Sequence, residues 1–550
     1  VLFFFVQNAQ YQRVMTKYCY LFLLAFAWLS QPSCGDRNPV ETEGAESPEV
    51  RYNEPHRPQL HFSPPNMWMN DPNGMVYHEG EYHLFYQHYP DSNVWGPMHW
   101  GHAISQDLVH WEHLPIALYP DSLGYIFSGS AVVDWKNTSG FGEDGRPPLV
   151  AIFTHHDMAA EKAGRSDYQS QSIAWSNDRG RTWTKYQANP VLKNPGDVRD
   201  FRDPKVFWHE ESGQWVMTLA VKDHVRFYGS PDLKNWTYLS DFGKEHGTHA
   251  GVWECPDLFP MMANEKERKW VLLVSINPGG PNGGSATQYF VGQFDGKAFV
   301  PDSAFAAQVE HEKAVWLDYG RDNYAGVTWS DIPKEDDRRL MIGWMSNWDY
   351  SQVVPTQTWR SAMTLPRSLF LGASAQGLHL FSRPVAELES LQRLSYSLDA
   401  RPLRGEWDLT DSLRFSPDLM EVLLEVDFPE GEVADFGLLL SNAAGEEYSI
   451  GYDDSKASFY SDRTRAGAAD FSDRFAAQRH LAPRLNPGSR LRFHLFIDRA
   501  SCELFADWGT TVMTECFFPS APFDKVRLYA RNGEAQLVSG HFHQLQSIWQ

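Results

Sequence analysis

From residue 60 to about 380, short apolar runs recur between clusters of turn residues. Examples are Tyr82-His83-Leu84-Phe85-Tyr86, Leu149-Val150-Ala151-Ile152-Phe153, Trp215-Val216-Met217-Thr218-Leu219 and Trp270-Val271-Leu272-Leu273-Val274. Runs of this length, rich in β-branched and aromatic residues and bounded by Gly, Pro, Asn and Asp, predict strands. Convincing helical periodicity is absent over the span, so it reads as all-β. A weak repeat is superimposed on it. Ser105-Gln106-Asp107-Leu108-Val109-His110-Trp111 resembles Ser230-Pro231-Asp232-Leu233-Lys234-Asn235-Trp236, and Ser176-Asn177-Asp178-Arg179-Gly180-Arg181-Thr182-Trp183 is a variant of both. Ser and Asp side chains can bond backbone amides inside a tight turn, with the Trp returning to a core between sheets. Three such copies suggest repeated sheet units, as in a β-propeller.

The best short helix candidate is Pro384-Val385-Ala386-Glu387-Leu388-Glu389-Ser390-Leu391, with Pro early and apolar residues at helical spacing. It reads as a connector. Beyond it short strands return, including Glu421–Val426, Leu491–Ile497 and Lys525–Tyr529, with the alternation and turn spacing of a β-sandwich. The expected organisation is a leader region at 1–34, a linker at 35–51, a propeller at 52–383, a connector at 384–394 and a sandwich at 395–550. A length of 550 residues fits two domains rather than one core.

Composition sharpens this picture in two places. The chain holds 21 Trp, 23 Tyr and 34 Phe, a surplus that fits β-sheet cores and, for a minority of rings, stacking on sugars. The net charge of −22, with no Lys/Arg-rich run to offset it, argues against nucleic acid as a partner. No stable protein partner is expected. Five cysteines occur, and none lies in a CxxC or Cys/His cluster of zinc spacing; no metal site is expected. His99 and His102 lie in strand-like sequence, where structural histidines are the commoner case. Cys502 and Cys516 flank an expected hairpin and read as two unpaired core cysteines, with pairing across the hairpin as the alternative.

At the N-terminus Lys17 precedes an apolar run from Tyr20 to Leu29, followed by Ser30-Gln31-Pro32-Ser33-Cys34. This is the pattern of a signal peptide rather than of a membrane span. Residues 1–14 precede the first Met, Met15, as an over-extended start would. Cys34 stands where a bacterial lipoprotein signal places its lipidated cysteine, although Gln31-Pro32-Ser33 is a poor version of that signal. The expectation is export, either to the periplasm or cell envelope as a lipoprotein anchored at Cys34 or as a secreted protein.

Three acidic positions stand out as candidate chemistry. Asp71 lies in Trp68-Met69-Asn70-Asp71-Pro72-Asn73-Gly74, where Pro and Gly fix a turn after the acid. Asp203 follows the permanent cation of Arg202 in Phe201-Arg202-Asp203-Pro204. Glu254 lies in Val252-Trp253-Glu254-Cys255-Pro256-Asp257, flanked by Trp and Cys, surroundings that favour a protonated acid. Taken singly, each has an ordinary structural reading: a routine Asp-Pro turn, a surface Arg-Asp pair, an incidental Glu beside Trp.

In this order, however, Trp-Met-Asn-Asp-Pro-Asn-Gly, Arg-Asp-Pro and Glu-Cys resemble the motifs of glycoside hydrolase family 32, the invertase, inulinase and levanase family. Phe85–Pro90, Trp100–Ala103, Phe127–Ser130, Asp318–Gly320, Ile342–Met345, Trp359–Arg367, and the tail from Glu503-Leu504-Phe505 to Ser547-Ile548-Trp549 look like further family segments, so the resemblance covers residues 56–550. It implies an all-β fold, a five-bladed β-propeller followed by a C-terminal β-sandwich. It also implies retaining hydrolysis of β-fructosides without a cofactor, the substrate being a fructan such as levan or inulin, or sucrose. Asp71 would be the nucleophile, Glu254 the acid/base, and Asp203 with Arg202 would hold the fructose hydroxyls and stabilise the transition state. Asn70, Gln87, Trp95, Phe127, Ser128 and Trp344 match positions of the fructose pocket. Cys255 would pack behind Glu254 or tune it. The segment Tyr324–Ser330 and the Trp344 stretch look most like bacterial levanases and exo-inulinases, which favours exo attack. An endo-acting relative, an arabinanase or xylosidase of the same propeller type, and a non-catalytic fructan-binding surface protein are the alternatives.

Overall fold

A computed structural model describes residues 52–549 apart from 375, 429–434, 487 and 489. The expected leader, tether and Cys34 lie outside the described residues. Five antiparallel sheets, each built on four principal strands, form the blades of a propeller. Their inner strands are Met67–His78, Tyr125–Val133, Phe201–His209, Val252–Asn264 and Tyr324–Thr328; the sheets are called blades I to V in that order. The ring closes where Trp359–Arg360 runs parallel to Met67 and Trp68, and where the Met363 N–H bonds the Phe62 carbonyl at 2.8 Å. Closure protects sheet edges that would otherwise be open to pairing with another chain.

The three repeated turns fall at one place in their blades, between the third and fourth strands of blades III, II and I. Asp107 Oδ1 accepts from the Val109 and His110 amides at 2.9 and 2.8 Å, and Asp232 Oδ1 accepts from Lys234 and Asn235 at 3.0 and 2.8 Å. In blade II Asp178 takes the Thr182 amide at 2.9 Å and Ser176 the Gly180 amide at 2.8 Å. Blade IV uses a fourth version without the serine: Asp295 caps Lys297 and Ala298 at 2.9 and 2.8 Å.

Two short helices depart from the all-strand reading of this span. Ser303–Glu312 precedes blade V and buries Phe305 and Val309, an i, i+4 pair too sparse to register as a periodic pattern. Met158–Lys162, capped by the Asp157 carboxylate on the Ala159 and Ala160 amides, interrupts blade II. The connector is a 3₁₀ helix, Ala386–Leu391. Beyond it the strands form one continuous sheet folded into a sandwich, spanned by Lys525–Leu545. One edge of that long strand pairs with Arg401–Asp408 and Gln392–Leu398, the other with Asp435–Ser441 and Met420–Asp427. Cys502 pairs in register with Glu515, and Cys516 with Ser501. This one-residue offset sends the two thiols to opposite faces of the sheet, and both are free and buried.

Buried ion pairs tie propeller to sandwich. Arg367 donates to Asp318 at 2.9 Å, to Glu503 at 2.5 Å and to Thr514 at 2.6 Å. His61 bridges Asp498 at 2.8 Å and Glu503 at 3.0 Å; burial alone would lower its pKa, but the two carboxylates raise it to about 9. Nearby, Arg463 donates to Asp322 at 2.6 Å and lies 3.2 Å from Glu515. Removing one partner from such a network leaves an uncompensated buried charge. Arg367→Met should therefore lower the unfolding free energy by roughly 3–5 kcal/mol. Urea unfolding followed by tryptophan fluorescence reads this as a lower midpoint, and an unshifted midpoint would mean the seam contributes little to stability.

Candidate active site

In a regular strand adjacent side chains point to opposite faces. Asn70 and Asp71, Phe127 and Ser128, and Arg202 and Asp203 are adjacent pairs, yet all six line one cavity of about 260 Å³. The strands achieve this with bulges. Every inner strand loses register with its neighbour at the site: between Met69 and Pro72, Phe127 and Gly129, Arg202 and Lys205, Glu254 and Asp257, and Tyr324 and Val327. The sequence dictates these breaks. Pro72, Pro204 and Pro256 have no N–H for the ladder, so an inner strand can carry them only in a bulge; Gly129 and Gly326 fill the same place in blades II and V. Asp203, Cys255 and Ala325 take positive φ of 62°, 47° and 53°, the left-handed region that non-glycine residues adopt only when the surroundings impose it. The Asp71-Pro72 step is thus a bulge inside a continuous strand, not a turn.

Asp71 accepts hydrogen bonds from Asn70 Nδ2 at 3.0 Å and Ser128 Oγ at 2.7 Å; Asn70 is itself oriented by the Trp68 indole at 2.7 Å. Glu254 is gripped on both oxygens. Arg202 donates to Oε1 from Nη2 at 2.8 Å and Nε at 3.3 Å, and the Tyr324 hydroxyl donates to Oε2. Arg202 also donates to Asp200 at 2.6 Å and lies 3.9 Å from Asp203. Asp203 Oδ2 accepts from the Cys255 amide at 3.1 Å.

The expected shelter of Glu254 by its sequence neighbours is not how the site is built. Trp253 turns away and donates to the Thr248 carbonyl at 2.9 Å. The Cys255 sulfur lies between the two aspartates, 3.7 Å from Asp71 Oδ2 and 3.8 Å from Asp203 Oδ2. Burial, then the negative charge of Asp203, Asp71 and Glu254, pushes the thiol far above its usual pKa, which keeps it a protonated donor.

Gln87, Trp95 and Phe127 stand in the wall as expected, with Trp95 edge-on to Phe127 at 6.0 Å. Trp344 does not. It is fully buried behind the wall, 4.9 Å from Trp348 and 6.1 Å from Trp68, and Trp348 is the ring that faces the cavity. The sequence reading also missed His156, which stacks on Phe127 at 4.2 Å, and Glu161, Tyr168, Asp200 and Gln352 of the rim. Tyr324 lay within a recognised segment but carried no assigned role. For the rim residues no local signal existed: Tyr168, Asp200 and Gln352 sit on loops and Glu161 on the short helix Met158–Lys162.

Burial, and then the nearby Glu254 charge, raises the Asp71 pKa. Burial likewise raises Asp203, from 3.8 to about 7; Arg202 opposes the shift, while Glu254 and Asp71 add to it. Three carboxyl groups brought by separate strands around one cavity are an arrangement of the kind that glycosidases working with carboxyl groups use.

Comparison with known proteins agrees. Residues 61–384 match the model of the glycosyl hydrolases family 32 N-terminal domain, and residues 387–544 that of the family 32 C-terminal domain. A levanase of Bacillus subtilis is 47% identical over 508 residues, covering 90% of this chain and 72% of the levanase. An extracellular exo-inulinase of Aspergillus awamori is 39% identical over 526 residues, covering 90% of this chain and 96% of that protein. Among solved structures, exo-inulinase from Aspergillus awamori superposes with a TM-score of 0.82 at 36% identity, over 90% of this chain and 100% of that one. The β-fructofuranosidase of Schwanniomyces occidentalis complexed with fructosyl-erythritol gives 0.80 at 33% identity, over 91% and 100%. The chain belongs to glycoside hydrolase family 32.

The raised pKa of Asp203 has a consequence for stability. Between pH 3.8 and about 7 the fold binds a proton that the unfolded chain has lost. Stability therefore falls as pH rises through this window, and the deficit is complete above it. Asp203→Asn should leave the unfolding free energy nearly unchanged near pH 4 and raise it at about pH 8 by on the order of 2 kcal/mol, read as a higher Tm. Calorimetry at both pH values checks this; an equal effect at the two would contradict it.

Proposed function

We propose that the protein is an exo-acting, retaining β-fructosidase that removes terminal β-D-fructofuranosyl units from levan or inulin, and also cleaves sucrose. The observation that carries this reading is the pairing of Asp71 with Glu254 across one enclosed cavity. Asp71 is aimed by Asn70 and Ser128, and Glu254 by Arg202 and Tyr324. Asp71 attacks the anomeric C2 while Glu254 delivers a proton to the departing glycosidic oxygen. Glu254 then takes a proton from water, whose oxygen attacks C2 and releases Asp71. Two displacements return the original configuration. Asp203 accepts hydrogen bonds from ring hydroxyls and offsets positive charge developing on the oxocarbenium-like transition state. Arg202, engaged by Glu254 and Asp200, orients the acid/base. Burial and the neighbouring negative charges raise the pKa of Asp71 and Asp203.

Exo attack is favoured by the likeness to the extracellular exo-inulinase of Aspergillus awamori, 39% identical over 526 residues. Retention of all three carboxyls speaks against a binding-only role.

Asp71→Ala and Glu254→Gln should each cut kcat by roughly 10²–10⁴-fold with the fold retained, and Glu254→Gln should recover best on substrates with an activated leaving group. In the same assay, chromatography of parent digests should give fructose as the only early product from levan or inulin. Near-normal kcat in either variant would remove the assignment, and an early ladder of oligosaccharides would mean endo attack. The reading includes export, with residues up to about 33 removed. Mass spectrometry of the native N-terminus should find it at or near Cys34, lipid-modified if the protein is anchored; an intact leader would overturn this.

A further inference from the structure

The inner strands that start at the carboxyl cluster end in a second cavity, at the opposite end of the propeller axis. It has a volume of about 610 Å³ and shares no lining residue with the catalytic pocket. Lys205, Asp257 and Thr328 line it and are bonded to one another: Asp257 Oδ2 accepts from the Thr328 amide and hydroxyl at 2.7 and 2.8 Å and lies 3.5 Å from Lys205 Nζ.

This chamber has the features of a ligand site rather than of a packing defect. Trp135 at its edge is 62% exposed, yet its ring is fixed. The indole N–H donates to Asp331 Oδ1 at 2.9 Å, and Asp331 Oδ2 is held by the Val133 amide, also at 2.9 Å. A large aromatic face is thus presented to solvent in one orientation, at little further entropic cost on binding. Deeper in, the Arg339 guanidinium lies over the Phe259 ring at 4.9 Å and makes no hydrogen bond among the described residues. Asp257 Oδ1 is buried and likewise has no hydrogen-bond partner among them.

The chemistry of these groups selects the occupant. An anion would use Arg339 but meet Asp257 and Asp331, and a cation would meet the reverse conflict with Arg339 and Lys205. An apolar ligand would leave donor and acceptor unmet, at a cost. A chain of sugar hydroxyls both donates and accepts, and its C–H faces stack on a fixed indole. We propose that this chamber is a second saccharide-binding site, which holds fructan at the end of the propeller opposite the pocket that cuts it.

The inference rests on the fructan reading above, and its test separates the two. Native electrophoresis in gels containing levan or inulin would compare Asp71→Ala, which cannot consume the polymer, with Asp71→Ala carrying Trp135→Ala. The double variant should be retarded less. In the active enzyme, Trp135→Ala and Arg339→Met should lower kcat/KM on levan or inulin by about fivefold while leaving sucrose within about twofold. Trp135 is exposed, so its replacement tests the site even if Arg339→Met does not fold. Unchanged retardation, together with an unchanged polymer-to-sucrose ratio of kcat/KM, would overturn the second site while leaving the fructosidase reading intact. Failure of the parent enzyme to hydrolyse any fructan would overturn that reading instead, with the gel comparison still deciding whether the chamber binds saccharide.

Discussion

Arg202 donates through Nη1 to Asp200 and through Nε and Nη2 to Glu254, with Asp203 3.9 Å away. A single permanent cation therefore faces a group of carboxyls that would repel one another in its absence. Buried carboxylates without compensation either take up protons or destabilise the fold, and the raised pKa of Asp71 and Asp203 shows part of that tension left in place. The arrangement persists because Asp71, Asp203 and Glu254 are delivered by three different inner strands and cannot move away without moving a blade. A guanidinium suits this task better than an ammonium: its fork meets Glu254 and Asp200 at once, in fixed geometry and always charged.

The same place also carries backbone strain. Positive φ at Asp203, Cys255 and Ala325 and a broken ladder in all five inner strands are unfavourable locally, and they hold because the rest of each blade is regular and tightly packed. Outer strands pair without interruption over long stretches, as between Trp270–Ile276 and Ala286–Gly292. The ring is closed by Trp359–Arg360 and Phe62, and the sandwich braces blade V through the Arg367 and Arg463 ion pairs. Rigid surroundings and a tense centre are what a preorganised site requires.

The part of this that could be read in the sequence is the part encoded by neighbours. Ser-x-Asp turns depend on contacts within five residues, and all three recognised copies fold as expected. The acids were found through their neighbours, Pro72 and Gly74 after Asp71, Arg202 before Asp203, Trp253 and Cys255 around Glu254, and through the family motifs these make together, although Pro72 forces a bulge in a strand and does not make a turn. What escaped depends on tertiary direction. Trp344 and Trp348 are both aromatic and close in sequence, and only the path of the loop after Met345 decides that the second faces the pocket. Tyr324 reaches Glu254 from another blade, and Cys255 reaches two aspartates rather than its own neighbour; neither contact has a one-dimensional signature. Helix Ser303–Glu312 was missed because its buried face amounts to Phe305 and Val309.

The same inner strands also explain why one axis gives two dissimilar cavities. In blade III, Asp203 belongs to the catalytic pocket, and Lys205 and Phe207 to the far chamber. Alternate residues after the bulge thus step down the axis in regular strand geometry. Blade IV repeats the progression with Glu254, Asp257 and Phe259, and blade V with Tyr324 and Thr328. The bulges lie at the catalytic end, which therefore presents adjacent side chains from one strand and becomes dense in carboxyls. The far end is wider and more aromatic, with Phe207, Trp208, Phe259 and Trp270 in its lining. The Lys205–Asp257–Thr328 cluster is satisfied largely by its own members. It therefore pairs its own charges on the chamber side of the inner strands, which leaves Arg202 as the cation of the carboxyl pocket, where burial strengthens its bonds to Glu254 and Asp200.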